Sequence, residues 1–152
     1  CMRYFLDTEY NGFGGALLSL ALVPEDGSEE FYVTLQCDAP LDPWVERHVT
    51  PFLDMVPDGL TGPRLPRQAA AEALAAWLAH DEAPDIVADW PEDLAQLSML
   101  LVTGPGMMIQ VPPLSLHFIP LHGFSTAANS VVPHNALHDA RALRDHIMNH
   151  LE

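Results

Sequence analysis

The stretch Arg3-Tyr-Phe-Leu-Asp-Thr-Glu9 decides the fold class of this chain. Its side chains alternate with the period of a β-strand, so residues 3–8 are predicted to form a strand with two distinct faces. An apolar run at residues 16–23 follows and leads to Asp26-Gly27, a strong hairpin signal. A third strand is predicted at residues 30–35. Three strands joined by short turns predict an antiparallel meander.

The rest of the chain alternates between helix and strand signals. The predicted elements are a short helix at residues 43–48, a helix at 67–80, a buried strand at 85–88, a helix from Pro91 to Leu101, a short strand at 116–119 in an otherwise loop-like stretch, and a last helix capped by Asn135 and running through Leu151. This β-β-β-α-β-α order predicts an α/β fold with a mixed sheet and flanking helices. Without repeats or linkers, residues 1–152 are predicted to form a single domain.

The charge balance restricts the classes of partner. The chain has 21 acidic and 6 basic residues, for a formal net charge of −15. That sign argues against a protein that wraps a duplex or moves processively along a long polyanion. It does not argue against an enzyme that binds phosphate through divalent cations, because clustered carboxylates hold such cations. If the substrate is a nucleic acid, the composition favours a short or single-stranded one.

The sequence also predicts a location. No apolar run reaches the roughly 18 residues that cross a bilayer, so no membrane partner is expected. The first residues enter a strand-like pattern at once, which is unlike a secretory leader. The two cysteines, Cys1 and Cys37, form neither a disulfide framework nor a metal-binding pattern. These features together predict a cytoplasmic protein.

Asp7 and Glu9 form the first candidate site. Two residues apart on a strand, they lie on the same face of an otherwise apolar segment. A buried strand does not normally carry two neighbouring acids without a cation, because unpaired buried charge is costly. The pair is therefore predicted to bind metal, with a solvated turn as the alternative.

The second candidate is Asp93, in the first turn of the helix that begins at Pro91. An acid there has a simpler explanation, since carboxylates are favoured at helix N-termini. Asp89 competes with Asp93 for the same role. The residues alone leave Asp93 and Asp89 as alternative metal ligands.

The third candidate combines His134 and Asp139, which lie before and within the first turns of the last helix. A histidine there is predicted to act as a general base, which would deprotonate a water molecule that attacks the substrate, while the aspartate binds metal. The neighbouring acids are expected to raise the pKa of His134 in the metal-free protein. His138 is the nearest competitor, but it lies one residue from Asp139 and points about 100° around the helix.

The order of these segments resembles that of the DEDDh 3′–5′ exonucleases, most closely the RNase T-like and oligoribonuclease-like members. The order is Asp-x-Glu, then a middle Asp, then His-x4-Asp before a C-terminal helix. The stretch Pro133-His-Asn-Ala-Leu-His-Asp-Ala-Arg-Ala-Leu143 matches the third motif at nearly every defining position. In the second motif the resemblance aligns Asp93 with the metal ligand, so Asp93 is preferred and Asp89 is the second choice. This motif departs from the family pattern at Asp89, where Asn is typical, and at Glu92, where an aromatic is usual.

The resemblance implies an RNase H-like fold and a two-metal phosphodiester hydrolase. Asp7, Glu9, Asp93 and Asp139 would hold two divalent cations, Mg²⁺ or Mn²⁺, and His134 would be the general base. The implied reaction releases nucleoside monophosphates from the 3′ end of RNA or of short single-stranded oligonucleotides. A 3′–5′ DNA exonuclease and a catalytically inactive nucleic-acid-binding module of the same fold are the alternatives. A homodimer is expected, because small RNase T-like enzymes are commonly dimers.

The segment after the first motif falls where family members contact the terminal nucleotide. The resemblance therefore implies substrate contacts at five residues: Thr8, Tyr10, Asn11, Gly12 and Phe13. The ring of Phe13 is interpreted either as a surface that stacks on a base or as a core plug for the glycine-rich turn. Five other large apolar residues are expected to pack in the interior: Trp77, Trp90, Met99, Met107 and Met108.

Overall fold

The predicted elements are present in the computed structural model, which describes residues 1–150. Over these residues the strands are β1 (Arg3–Tyr10), β2 (Leu17–Pro24), β3 (Phe31–Thr34), β4 (Asp85–Ala88), β5 (Val102–Gly104), β6 (Met107–Met108) and β7 (Ser115–Phe118). The α-helices are α1 (Pro43–His48), α2 (Arg67–Leu78), α3 (Pro91–Leu100) and α4 (Ala136–His150). Short 3-10 turns lie at Thr50–Phe52, Asp58–Leu60 and Ala127–Asn129.

A five-stranded sheet in the order β3-β2-β1-β4-β7 organises the protein. The strands β1, β2 and β3 form the predicted antiparallel meander, and β4 and β7 continue the sheet with parallel pairings. The prediction of an α/β fold with a mixed sheet and flanking helices is confirmed. Strand β2 is buried along its whole length because both of its edges are paired and both of its faces are covered.

The alternation of β1 divides the core into two layers. Leu6 lies in a cluster beneath α2 and α3, whereas Phe5 packs against Leu143 and Ile147 of α4 on the opposite side. Asp7 follows Phe5 by two residues and therefore lies on the face that α4 covers. The period-2 pattern that defined the strand thus also directs an acidic side chain toward the last helix.

One feature of the C-terminal half differs from the sequence prediction. The hairpin of β5 and β6 was not predicted, because its strands have only three and two residues around Gly104-Pro-Gly106. The predicted end of the last helix at Leu151 lies outside the described residues. Among residues 1–150, no helix has both the length and the apolar character required to cross a membrane.

Of the five large apolar residues expected in the interior, Trp77 packs against the core and the other four are exposed instead. The exposed fractions are 58% for Trp90, 56% for Met99, 63% for Met107 and 64% for Met108. Trp90 precedes the first turn of α3, and the two later methionines lie on a hairpin outside the five-stranded sheet. The expectation was wrong because hydrophobicity alone does not show which face an element presents to solvent.

Candidate metal centre

The fold brings the predicted acidic residues together at one edge of the sheet. The parallel strands β1 and β4 end at this edge, and α3 carries Asp93 in its first turn while α4 carries Asp139 in its first turn. Helix N-termini favour carboxylates, so both helices stabilise their acids there. Two groups result, in each of which the potential ligand atoms lie within 4.8 Å of one another: Glu9, His134 and Asp139, and Asp7, Asp89 and Asp93.

Burial makes this cluster unusual. Asp7 is 8% exposed, and Asp93 and Asp139 are each 3% exposed. The Oδ2 atom of Asp7 and the Oδ1 atom of Asp139 are buried and have no hydrogen-bond partner among residues 1–150. A buried polar atom without a partner costs free energy, whereas a hard cation is a partner that satisfies anionic oxygens. The donor set, with its orphaned oxygens, therefore fits divalent cations such as Mg²⁺ or Mn²⁺.

Four carboxyl groups of the cluster have raised pKa values: those of Asp7, Glu9, Asp93 and Asp139. Burial, followed by repulsion from Asp93, raises the pKa of Asp7 well above its ordinary value. Burial, followed by repulsion from Asp139, raises the pKa of Glu9 to about 9. Burial also raises the pKa of Asp93 and of Asp139. Without cations, the cluster is therefore expected to retain protons near neutral pH, and cation binding should release them.

The metal-free protein is expected to lose stability as the pH rises. A carboxyl group whose pKa is raised by folding stabilises the folded state fully below the unfolded value of about 4. That contribution is lost as the pH rises through the folded values, which extend to about 9 at Glu9. Differential scanning calorimetry in chelator should therefore show a melting temperature that falls across this range. Mg²⁺ or Mn²⁺ should raise it again, most strongly at the alkaline end.

Thr8 orients one of the predicted ligands. Its hydroxyl donates a hydrogen bond to Oδ1 of Asp93 at 2.6 Å, and its backbone N–H donates to the same oxygen at 3.3 Å. Thr8, predicted to contact substrate, is 4% exposed, and its side chain fixes a carboxylate. Asp89, the second choice of the sequence analysis, lies in the same group of potential ligands as Asp93. The structure thus brings both candidates from the second segment to the centre.

His134 is held in place by the start of α4. Asn135 caps this helix as predicted, since its side-chain oxygen accepts hydrogen bonds from the backbone N–H groups of Leu137 and His138. Its side-chain amide donates to the Phe52 carbonyl at 2.8 Å, which ties the helix start to a neighbouring turn. His134 has a φ of 66°, a left-handed conformation that is uncommon for a residue other than glycine. Such backbone strain is typical of functional positions.

The pKa of His134 is lowered rather than raised. Burial is the main cause, and the neighbouring His48 is the second. The expectation that the acids would raise this pKa was wrong because desolvation and a second imidazole outweigh them. A lowered pKa keeps the imidazole neutral near pH 7, which a general base requires. His138 has a different partner, since its Nε2 lies 2.9 Å from the carbonyl oxygen of Met55.

Two aromatic residues beside His134 were missed by the sequence analysis. The ring of Trp44 meets the ring of His134 edge-on at 4.9 Å between centroids, and the ring of His48 lies 6.5 Å from it. Trp44 and His48 lie one helical turn apart on α1, with ring centroids 4.8 Å apart. The spacing of four residues was the only available signal, and α1 carries no motif. Trp44 is half-exposed and widens the aromatic surface next to the candidate base.

The loop after β1 presents Phe13 to solvent. Phe13 is 98% exposed, which excludes the core-plug interpretation. It lines a cavity of about 540 Å³ between the loop and α3, together with Ala16, Leu17, Ala95 and Met99. The apolar lining and the exposed ring give this cavity the character of a site for a flat aromatic group.

Hydrogen bonds from α3 fix the conformation of this loop. The backbone N–H of Gly14 donates to a carboxylate oxygen of Glu92 at 2.9 Å, and the side-chain amide of Gln96 donates to the Gly15 carbonyl at 3.0 Å. A Cβ at Gly15 would overlap the Asn11 carbonyl oxygen, so only glycine fits there. Glu92, at the position where the resembled family has an aromatic, thus holds the loop in place.

The remaining residues of the predicted substrate segment tie the loop to its surroundings. Asn11 accepts a hydrogen bond from the backbone of Asp42 at 2.7 Å and donates to the Pro40 carbonyl at 3.0 Å. Gly12 has a φ of 78°, a conformation that glycine adopts without strain. Burial and the nearby Asp93 raise the pKa of Tyr10, so its hydroxyl stays protonated next to the carboxylates.

No protein-family model matches this chain, and a search of curated proteins finds no match either.

Proposed function

We propose that this protein is a two-cation 3′–5′ exonuclease of the DEDDh type, which releases nucleoside monophosphates from RNA or short single-stranded oligonucleotides. The observation that carries the proposal is the convergence of three distant segments on one buried acidic cluster. Two oxygens of that cluster, one on Asp7 and one on Asp139, lack hydrogen-bond partners within the described part of the chain. A purely structural role would leave this burial of like charge unexplained.

The chain's residues divide the work of the proposed reaction. Asp7, Glu9, Asp93 and Asp139 would hold two divalent cations, which when bound neutralise phosphate charge and activate the nucleophile. The neutral imidazole of His134 accepts the proton of the attacking water. Thr8 keeps the Asp93 carboxylate in one orientation through two hydrogen bonds. Trp44 packs against the His134 ring and limits its rotation.

The 3′ end of the substrate would be received by the loop after β1. The exposed ring of Phe13 and the adjacent cavity of about 540 Å³ suit a nucleobase. Of the six arginines, Arg67 lines this cavity, but the surroundings of the site are otherwise acidic. Cations would therefore supply most of the attraction for phosphate, which agrees with a short substrate rather than a long one.

The proposal also covers the fold family, the substrate preference and the cellular location. An RNase H-like assignment is supported by a meander that precedes alternating helices and parallel strands. The preference for RNA over DNA and the cytoplasmic location rest on the sequence resemblance and composition.

A nuclease assay tests the proposal directly. Oligoribonucleotides and oligodeoxyribonucleotides labelled at the 5′ end should be shortened one nucleotide at a time in Mg²⁺ or Mn²⁺. Chelator should stop the reaction, and a 3′-phosphate should block it. Full activity in excess chelator would contradict the two-cation mechanism, and internal cleavage products would contradict the exonuclease assignment.

The assignment of Asp93 as the metal ligand can be tested by replacing each of the two acids of the second motif separately. Asp93→Asn is expected to reduce the rate much more than Asp89→Asn, because Asp93 is nearly fully buried and is fixed by Thr8. Asp89 is only half-buried, and in the part of the chain that the structure describes no side chain orients it through a hydrogen bond. Turnover and Mn²⁺ affinity should be measured for both variants. If Asp89→Asn is the inactive one, the motif register is displaced by four residues.

A further inference from the structure

Two histidines lie together in the last two turns of α4, away from the acidic cluster. His146 and His150 are four residues apart, so they lie one above the other on the same face of the helix. Their ring centroids are 5.1 Å apart. Asp139, which α4 contributes to the candidate metal centre, precedes His146 by two turns of the helix, which is about 10 Å along the helix axis. The histidine pair is therefore separate from that centre.

The ring of Phe124 holds His146 in one orientation. The two rings are stacked, with their centroids 3.8 Å apart and their planes inclined by 15°. Phe124 belongs to the segment between β7 and α4, so the stack joins that segment to the helix. The nitrogens of an imidazole lie at the edge of its ring, so stacking covers one face of His146 and leaves them accessible. A side chain oriented in this way loses less freedom when it binds a ligand.

Neither histidine has a competing polar partner. Within residues 1–150, no hydrogen bond and no ion pair involves the ring of His146 or of His150. By contrast, the ring of His138, nearer the start of α4, lies 2.9 Å from the carbonyl oxygen of Met55. The ring nitrogens of the pair are therefore available as ligands for a cation.

The separation of the two rings fits a shared metal ion. Zn²⁺ binds imidazole nitrogen at about 2.0–2.1 Å and prefers tetrahedral geometry, which places the centroids of two ligating rings about 5 Å apart. The separation of 5.1 Å between His146 and His150 agrees with this value. The rings of His48 and His134 are 6.5 Å apart, which is too far for the same arrangement.

The electrostatic surroundings also favour a cation at this end of α4. The last carbonyl groups of a helix carry partial negative charge, and the chain as a whole has a net charge of −15. Imidazole ligands suit Zn²⁺, Cu²⁺ and Ni²⁺, whereas Mg²⁺, Ca²⁺ and Mn²⁺ prefer oxygen ligands. The histidine pair therefore differs from the acidic cluster in the kind of cation that it selects.

We propose that His146 and His150 form a second metal site, which binds one Zn²⁺ ion with water at its remaining positions. The two imidazoles act as a chelate across one turn of α4, and the stack with Phe124 fixes one of them before the ion arrives. The proposal depends neither on the acidic cluster nor on nuclease activity.

Calorimetric titration with Zn²⁺ in saturating Mg²⁺ tests the proposal. The wild-type protein is expected to bind one Zn²⁺ more than the double variant His146→Gln/His150→Gln. Either substitution alone should raise the dissociation constant of that ion about tenfold or more, because a single imidazole forms no chelate. His146 is partly exposed and His150 is exposed, so the variants should fold, and melting curves would verify this.

His80→Gln is the matched control, since His80 is an exposed histidine just beyond the end of α2 and should not affect the site. Asp7→Asn should also keep this ion, which separates the proposal from the function of the acidic cluster. In NMR spectra of the histidine rings, one equivalent of Zn²⁺ should shift the nitrogen signals of both His146 and His150. Equal Zn²⁺ binding by the wild type and the double variant would overturn the proposal, as would a shift confined to one of the two rings.

Discussion

Asp7→Asn is expected to abolish hydrolysis while making the metal-free protein more stable at alkaline pH. Asparagine keeps the size of the side chain but removes the charge that cations require. Loss of a ligand from a two-cation site should reduce turnover about 10³-fold or more, equivalent to about 4 kcal/mol of transition-state stabilisation. The same change removes one carboxylate from a group in which Asp93, Glu9 and Asp139 all raise the pKa of Asp7. The repulsion between Asp7 and these three acids should therefore disappear from the folded state.

Two measurements separate these effects. Single-turnover rates report the catalytic loss, and calorimetry in chelator near pH 9 reports the gain in melting temperature. Asp58→Asn serves as the control, because Asp58 is an exposed acid in a 3-10 turn away from the cluster. It should change neither quantity. A destabilised Asp7→Asn protein that still responds fully to Mn²⁺ would show that the cluster is not a metal site.

Local patterns carried much of the information about the fold and the site. The two-residue period of β1 predicted that Asp7 and Glu9 would share a face, and the sheet directs Asp7 toward α4. The capping preference of Asn135 predicted the start of α4, which places His134 at the edge of the cluster. These predictions succeeded because strand alternation and helix capping depend on neighbouring residues.

Long-range contacts were not predictable in the same way. The ring contact between Trp44 and His134 joins residues that are distant in sequence, and neither residue lies in a pattern that implies the other. Burial and the neighbouring His48 lower the pKa of His134. Neither effect follows from the sequence, so the direction of the pKa shift was predicted wrongly. Glu92 could be recognised as a departure from a motif, but its hydrogen bond to Gly14 required the folded loop. The exposure of Met107 and Met108 likewise depends on the position of their hairpin outside the five-stranded sheet.

His134→Ala is expected to reduce the rate about 10²–10⁴-fold, the usual contribution of a positioned general base. The affinity for Mn²⁺, measured by calorimetric titration, should change much less, because His134 is proposed as the base rather than as a ligand. The ring of His134 belongs with Glu9 and Asp139 to one group of potential ligands, so the geometry also allows His134 to bind the cation. A large loss of Mn²⁺ affinity would assign His134 to the metal and would leave the base unidentified.

The pH dependence of the wild-type rate provides the second test of His134. Burial and His48 lower the pKa of this imidazole below its ordinary value of 6.5. A base must be neutral to accept a proton, so at saturating Mn²⁺ activity should be lost only below that lowered pKa and should be nearly constant from about pH 7 upward. His138→Ala is the matched control, since its ring contacts the Met55 carbonyl instead of the acidic cluster, and it should retain the wild-type rate and profile. Equal losses in the two variants would refute the assignment, because a histidine outside the cluster has no route to the attacking water.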